Sequence, residues 1–163
     1  MAGKITEAEV LEAQECWGQG IVDIGHEYMS GGDFVGRATK HIEDLYAYGD
    51  KDRPVLFKPT KCEHVQFRRT FEEALSYFVG HNFAPAGCSE DNGFAIAPYV
   101  AVYLPDPQII LEETRAIAMG NYFFVKPSGE NVKVEYTFGY RRKSARSKKL
   151  IIDLHHSSIP FKH

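Results

Sequence analysis

The chain has 163 residues, a formal net charge of −3, 44% hydrophobic residues and 25% charged residues, a composition typical of one globular domain. Its charges form no long block of one sign, so bulk electrostatics give no reason to expect a nucleic-acid partner. It contains no apolar run long enough to cross a bilayer, so we expect no membrane-spanning helix.

The cysteines and the N-terminal segment suggest a compartment. Cys16, Cys62 and Cys88 are an odd number without CxxC spacing, which predicts free thiols and a reducing environment. The first residues, MAGKITEAEV, lack the apolar core of a signal peptide. We therefore expect a cytoplasmic location.

Two helices are predicted first along the chain. Thr6 and Glu9 form a capping box, which starts the first helix. Gly18 and Gly20 inside this helix each cost about 1 kcal/mol relative to alanine, and we interpret them as positions of close packing. Asp33 can cap the second helix, whose apolar stripe consists of Phe34, Ala38, Ile42 and Leu45.

The run VLFKPT then predicts a short extended segment that ends at a bend. Pro59 holds Lys58 in an extended conformation and cannot donate a hydrogen bond to a strand ladder. Thr60 follows at a sharply defined bend, which suits an aimed hydroxyl group. A third helix is predicted from about Thr70, as its cap, to about Gly80, where it ends.

The pattern changes from helices to strands after the stretch HNFAPAGCSEDNG, which is typical of a loop. Four long strand patterns follow, separated by short turns: GFAIAPYVAVYL, IILEETRAIAMGNYFFVKP, VKVEYTFGYRRK and KKLIIDLHHSSIPF. Short turns between long strands indicate antiparallel hairpins. We therefore predict a single α+β domain over residues 1–163, with N-terminal helices packed on a curved antiparallel sheet. Such a sheet forms a cone with a pocket, and its outer face is expected to serve a homodimer.

The last strand carries an unusual set of polar residues. Side chains of a strand point alternately to its two faces, so regular alternation places Asp153, His155 and Ser157 on one face. His156 and Ser158 then share the other face with leucine and isoleucine side chains. Each polar residue alone is more typical of an ordinary core or surface position. The run as a whole favours a polar pocket.

Other kinds of site have weaker support. Seven histidines are present without an HExxH motif, a helical histidine pair or a cysteine cluster, so no metal or other cofactor is expected. Ser157 lacks the GxSxG signature of a nucleophilic serine. The basic residues 141–149 are more typical of a solvated hairpin tip than of a phosphate site.

A noncovalent polar pocket is the last candidate. Tyr77 borders the buried side of the third helix, and Thr60 begins the segment that leads into it. With His155 and Ser157, these groups could hold and deprotonate a small polar reactant. Spacing along the chain does not by itself bring them together.

Six segments, VLFKPT, QFRRTFEEALSYFVG, EDNGFA, AMGNYFFV, KVEYTFGYRR and LHHSSIP, resemble in this order the iota-class carbonic anhydrases of cyanobacteria and algae. The resemblance covers about residues 55–160. It implies an NTF2-like cone, similar to the association domain of calcium/calmodulin-dependent protein kinase II and usually dimeric. It also implies reversible hydration of carbon dioxide, described in members of the family as independent of a metal, and a chloroplast location if the chain is a domain of an algal precursor.

The same resemblance implies the site residues. Thr60, Tyr77, His155 and Ser157 would be catalytic, and Thr60, Tyr77 and Ser157 would bind carbon dioxide or bicarbonate. The hydroxyl groups would orient water and stabilise charge on bicarbonate, and the histidine would move a proton near neutral pH. The choice of His155 over its neighbour depends on whether the polar or the apolar strand face turns inward. Aromatic residues, Phe123 and Tyr136 among them, would wall the site.

Two alternatives stay open at the level of sequence. One is another NTF2-like enzyme, an isomerase or dehydratase that uses Asp153 and His155 on a larger organic substrate. The other is a noncatalytic oligomerisation or ligand-binding domain.

Overall fold

The structure is a computed structural model that describes residues 2–84 and 86–163; Met1, and Pro85 of the predicted loop, lie outside the described residues. It contains three α-helices and six strands, in agreement with the predicted α+β class. The helices are α1 (Glu7–Met29), α2 (Phe34–Leu45) and α3 (Phe71–Val79). The strands are β1 (Leu56–Lys58), β2 (Ala101–Tyr103), β3 (Gln108–Leu111), β4 (Arg115–Val125), β5 (Asn131–Arg142) and β6 (Leu150–Ser158). Within the described ranges, no helix has both the length and the apolarity needed to cross a membrane.

The predicted helix caps are present. The side chain of Thr6 accepts a hydrogen bond from the backbone N–H of Glu9, and the carboxylate of Glu9 accepts one from the backbone N–H of Thr6. The side chains of Asp33 and Thr70 each accept one backbone hydrogen bond at the start of α2 and α3. Because each side chain pairs an otherwise free N–H group of the first turn, these residues fix where the helices begin.

The glycines of α1 allow close approach of other elements, as their positions predicted. A Cβ atom on Gly20 would lie 2.0 Å from Nδ1 of His41 on α2, and one on Gly18 would lie 3.1 Å from the carbonyl oxygen of Val102 on β2. α1 continues through both glycines without a break. Its packing against α2 depends on the missing side chain at position 20.

The six strands form one sheet in the order β1-β6-β5-β4-β2, with β3 also paired to β4. The long pairs β4–β5 and β5–β6 are antiparallel, whereas β1 runs parallel to β6. The prediction of a wholly antiparallel sheet is therefore wrong at this edge. Residues 59–149 separate β1 from β6, so no tight turn forces the two strands to run antiparallel.

Two predicted strands are shorter than expected. In the pattern predicted over residues 93–104, only Ala101–Tyr103 forms a strand, because a turn closes between Gly93 and Ile96 and Pro98 follows it. The pattern predicted before and through β4 is broken by residues 112–114, which separate β3 from β4. Both differences shorten the sheet edge that lies beside α1.

The inner face of the sheet packs against the three helices and forms the core. Its side chains on β4 and β5 are buried and mostly aromatic: Ala116, Ala118, Tyr122, Phe124, Val134, Tyr136, Phe138 and Tyr140. Trp17 of α1 lies against this face, with ring centroids 5.4 Å from Tyr122 and 5.8 Å from Phe138. The core is therefore an aromatic layer between helices and sheet.

A β-bulge in β6 changes which residues face inward. Gly139 pairs with Leu154 and Tyr140 pairs with Ile152, so Asp153 has no partner on β5. A bulge adds one residue to a strand and interrupts its alternation. As a consequence, the apolar Ile152 before the bulge lies on the inner face, and so do the polar residues His155 and Ser157 after it.

The bulge also corrects the prediction that Asp153, His155 and Ser157 form one polar ladder. His155 and Ser157 are buried on the inner face, each with only 2% of its surface exposed. Asp153 instead forms an ion pair of 2.7 Å with Arg115. Arg115 alternates with the inner-face residues of β4 and therefore lies on the opposite face of the sheet. The carboxylate therefore lies on the opposite face from the imidazole.

We predict that Gly20→Ala lowers the free energy of unfolding by about 1–3 kcal/mol, because the new methyl group overlaps the buried ring of His41. The loss is expected although alanine favours helix more than glycine does. Urea unfolding measures it, with Gly49→Ala as the control, since a Cβ there meets no atom within 4 Å. Wild-type stability of Gly20→Ala would contradict the packing described here.

A second prediction concerns His41, which is fully buried and has no hydrogen-bond partner on either ring nitrogen in the described part of the chain. Burial lowers the pKa of His41 from 6.5 to about 3. Below about pH 6.5 the unfolded chain binds a proton at His41 that the folded protein does not bind. The free energy of unfolding therefore decreases as the pH falls from about 6.5 towards 3.

We expect His41→Leu to weaken this acid sensitivity, because leucine fills a similar space without an ionisable group. The measurement is the free energy of unfolding in urea between about pH 7 and about pH 4. The exposed His64→Gln serves as the control and should keep the wild-type slope. Equal slopes for His41→Leu and wild type would overturn the prediction.

Candidate active site

The four predicted site residues meet in the structure, together with a fifth that the sequence did not single out. Thr60, Tyr77, Tyr122, His155 and Ser157 line one cavity, and we call them the polar cluster. They come from the segment after β1, from α3, from β4 and from β6. Residues separated by up to 97 positions along the chain are therefore brought into direct contact.

Hydroxyl groups form the centre of the polar cluster. The Oγ atom of Ser157 lies 2.5 Å from Oγ1 of Thr60 and also bonds to the hydroxyl of Tyr122. The same Tyr122 hydroxyl lies 3.2 Å from Nε2 of His155. The hydroxyl of Tyr77 accepts a hydrogen bond of 3.3 Å from the backbone N–H of Lys61.

The pairing of β1 with β6 positions Thr60. Phe57 is in register with His155 and Lys58 with His156, so the chain that leaves β1 continues beside the end of β6. Pro59 ends β1 because its ring nitrogen has no hydrogen to donate. The predicted bend at Thr60 thus turns the hydroxyl towards Ser157.

The histidine ring is held rigidly. It is stacked between Phe57 of β1, at a centroid distance of 4.8 Å, and Phe138 of β5, at 4.1 Å. Its Nδ1 atom lies 2.8 Å from the hydroxyl of Tyr46, which accepts a 2.9 Å hydrogen bond from the indole N–H of Trp17. Both ring nitrogens of His155 are therefore engaged, and His156 is exposed on the other face.

Burial keeps the polar cluster uncharged. It raises the pKa of the Tyr77 and Tyr122 phenols far above neutral pH, and it lowers the pKa of His155 well below its usual value. The expected role of His155 in moving a proton near neutral pH is therefore not supported, because the ring does not titrate there. The cluster is therefore held together by neutral hydrogen bonds.

The cavity itself is small and has an apolar side. Its volume of about 10 Å³ accommodates about one water molecule. Aromatic rings of Trp17, Phe57, Phe78 and Phe94 complete its lining. Only Thr60 and Phe94 are partly exposed among these residues, so they mark the side that faces solvent.

The aromatic walls expected from the sequence are only partly correct. Phe123 lies on the outer face, stacked on Tyr103 at 5.2 Å, and does not line the cavity. Tyr136 is buried and contacts Tyr122, but it too lies outside the cavity lining, and its hydroxyl accepts a hydrogen bond from Gln14. The missed residue, Tyr122, alternates with Phe123 along β4, so the correct strand face would have identified it.

A buried ion pair fixes the segment that follows Thr60. The guanidinium group of Arg68 donates to both carboxylate oxygens of Asp91, at 2.6 and 2.7 Å, and Ser76 of α3 donates to the same carboxylate. This network ties the segment to α3, one residue before Tyr77. The hydroxyl groups of Thr60 and Tyr77 therefore share one rigid support.

Glu90 completes that support. Its carboxylate accepts hydrogen bonds from the backbone N–H groups of Glu63, His64 and Val65. Burial alone would raise the pKa of Glu90, but these bonds outweigh it and lower the pKa to about 2. The carboxylate is therefore charged at neutral pH and holds the turn closed. Across residues 2–84 and 86–163, no group of three or more metal-ligating side chains is arranged to hold a metal ion.

Comparison with known proteins gives a consistent result. A family model described as metal-independent carbonic anhydrase matches residues 8–159. The "Metal-independent carbonic anhydrase" of Nostoc sp. (strain PCC 7120 / SAG 25.82 / UTEX 2576) is 37% identical over 160 residues, covering 96% of this chain and 75% of that protein.

Solved structures agree with the sequence matches. The crystal structure of the iota-carbonic anhydrase from a cyanobacterium, complexed with bicarbonate, has a TM-score of 0.87 and 35% identity, covering 98% of this chain and 95% of that chain. An NTF2-like protein of unknown function from Pseudomonas putida KT2440 has a TM-score of 0.59 at 17% identity, covering 96% and 87%. The second match supports the predicted NTF2-like fold alone.

Proposed function

The chain belongs to the metal-independent carbonic anhydrase family, which catalyses the reversible hydration of carbon dioxide, and we propose that this reaction takes place at the polar cluster. The observation that carries the proposal is the convergence of the Thr60, Tyr122 and Ser157 hydroxyls on a cavity that accommodates about one water molecule. Bicarbonate is the ligand named for the similar cyanobacterial structure, and we propose that it binds here at the same cluster.

Hydration without a metal needs two things from the protein. A water molecule must be held close to the carbon of carbon dioxide, and the negative charge that develops on the oxygens must be stabilised. Fixed hydrogen-bond donors stabilise this negative charge, and they act most strongly where bulk water is excluded. The hydroxyls of Thr60 and Tyr77 border the cavity and have the donors required.

The apolar side of the cavity suits the other reactant. Carbon dioxide has no net charge and no hydrogen to donate, so aromatic walls can hold it without leaving a polar group unpaired. Phe57, Phe78 and Phe94 provide such walls. We propose that the hydroxyl groups hold the attacking water in the cavity and that carbon dioxide lies against the partly exposed Phe94 at its solvent side.

The first alternative, an isomerase or dehydratase, has less support. It required Asp153 and His155 to act together, and these residues lie on opposite faces of β6. The family match and the cavity both support hydration of a small molecule.

The outer face of the sheet carries exposed apolar side chains, and we propose that it forms a homodimer with a second copy of this chain. Tyr103 of β2, Ile110 of β3 and Met119 of β4 are each at least 44% exposed. The strand registers place all three on the same face, beside Phe123. Contiguous apolar patches of this kind mark interaction surfaces.

Compartment is a further part of the proposal. The three cysteines are all free, which supports a reducing environment, the cytoplasm or, for a domain of an algal precursor, the chloroplast. Cys62, two residues from Thr60, is partly buried, and burial raises the pKa of its thiol to about 11. It therefore stays protonated and unreactive beside the proposed site.

We predict that Thr60→Val and Ser157→Ala each lower kcat/KM for carbon dioxide hydration by about 10²–10³, the usual cost of one lost transition-state donor, because the first removes the Thr60 hydroxyl and the second removes the hydroxyl that holds it. Stopped-flow assays measure the rate, and thermal melts test whether the variants fold. Ser158→Ala is the matched control, since that hydroxyl bonds to Glu135 on the surface. Folded Thr60→Val and Ser157→Ala proteins with near-normal turnover would rule out the polar cluster as the active site.

A separate prediction tests the dimer. Light scattering of the wild type at micromolar concentration should give twice the 18.4 kDa mass of the chain. Met119→Lys combined with Ile110→Lys places two charges on the apolar face and should shift the mass towards the monomer. Met29→Lys, an equally exposed residue at the end of α1, is the control and should remain dimeric. A monomeric wild type would end this part of the proposal.

A further inference from the structure

We propose that Tyr46, anchored by Trp17, is a positioning residue that fixes the direction of a hydrogen-bond chain ending at Thr60, so that Thr60 donates its hydrogen into the cavity. The inference rests on the proposed active site, because it describes how that site presents itself to the reactants. It assigns a role to Tyr46 and Trp17, which do not belong to the polar cluster but are connected to it through His155.

The chain has six members in series. It runs from the Trp17 indole to Tyr46 at 2.9 Å and from Tyr46 to Nδ1 of His155 at 2.8 Å. From there Nε2 of His155 contacts Tyr122 at 3.2 Å, and the Tyr122 hydroxyl contacts Ser157. The last link joins Ser157 to Thr60 at 2.5 Å.

The inner end of the chain has only one possible polarity. An indole N–H donates and cannot accept, so the oxygen of Tyr46 accepts from Trp17. The single hydrogen of Tyr46 then has Nδ1 of His155 as its acceptor. The reverse arrangement, with Nδ1 donating, would leave the Tyr46 hydrogen without an acceptor among the described residues, at the cost of an unpaired buried donor.

The polarity passes through the histidine to the cavity. Because Nδ1 accepts, the neutral ring carries its hydrogen on Nε2 and donates it to Tyr122. Tyr122 then donates to Ser157. Ser157 in turn donates to Thr60, because the reverse would leave the hydrogen of the buried Ser157 without an acceptor, whereas the partly exposed Thr60 can donate to water. The phenol hydroxyls of Tyr77 and Tyr122 also lie near Thr60. Of these three hydroxyl groups only that of Thr60 belongs to a partly exposed residue, so its hydrogen is placed at the solvent side of the cavity that it lines.

This direction suits the reaction. A donor fixed in place before the reaction begins stabilises the oxygen on which negative charge develops. A hydrogen-bond chain relays a proton only if its far end can accept one, and the Trp17 indole cannot. The proton released from the attacking water therefore leaves on the solvent side, past Thr60, and does not move inward through His155.

The direct test is the tautomer of His155, measured by ¹⁵N NMR on protein labelled at histidine. His155→Gln identifies the signal by its absence. We expect the neutral form with hydrogen on Nε2, unchanged over about pH 6–9. In Tyr46→Phe, Nδ1 loses its donor, and the Nδ1–H tautomer should appear. A wild-type ring with hydrogen on Nδ1, or on both nitrogens, would overturn the proposal.

Turnover provides the second test. Tyr46→Phe should lower kcat by about tenfold, less than the loss of a direct donor, because Thr60 is still present but no longer held in one orientation. Tyr140→Phe is the matched control, since it removes an equally buried phenol hydroxyl that has no partner among the described residues. It should keep wild-type turnover.

The two tests separate this inference from the proposed function. A folded Tyr46→Phe protein with wild-type kcat and an unchanged tautomer would refute the role of Tyr46. If the tautomer behaves as expected but Thr60→Val retains full turnover, the direction of the chain stands and the assignment of the active site fails.

Discussion

The three-residue pairing of β1 with the end of β6 holds the proposed active site together. This parallel contact stacks Phe57 on His155 and carries the chain past Pro59 to the contact between Thr60 and Ser157. The rest of the sheet is built from long antiparallel pairs that would form without it. A strand this short is stable only because its neighbours support it on both sides: the aromatic core beneath, and the Arg68–Asp91 network beyond the bend.

The protein separates charge from the proposed site of chemistry. Among its buried or partly buried ion pairs, Arg68–Asp91 lies in the supporting segment and Arg115–Asp153 on the outer face of the sheet. The cavity holds only neutral hydroxyls, one neutral imidazole and aromatic rings. A neutral cavity has no permanent charge to hold bicarbonate after it forms, which favours release of the product.

The sequence was informative wherever a local interaction decides the structure. Helix caps at Thr6, Asp33 and Thr70 depend on residues within one turn, and the bend at Thr60 depends on its neighbouring proline, so both could be predicted. The parallel direction of β1 and the inward position of Tyr122 depend on pairing between distant strands, which no local pattern specifies. The chain of contacts from Trp17 to Thr60 likewise joins residues on five separate parts of the sequence.

The bulge at Asp153 also uncouples the two halves of β6, so that the loss of the bulged residue need not change which side chains of either half face inward. Loss of this one residue by deletion would restore regular alternation and still leave His155 and Ser157 on the inner face, at the cost of the ion pair with Arg115. A deletion between His155 and Ser157 would instead send the two side chains to opposite faces. A one-residue deletion should therefore be tolerated immediately before His155 and not immediately after it, so the bulge uncouples the register of the core-forming part of the strand from that of the part that carries the proposed site.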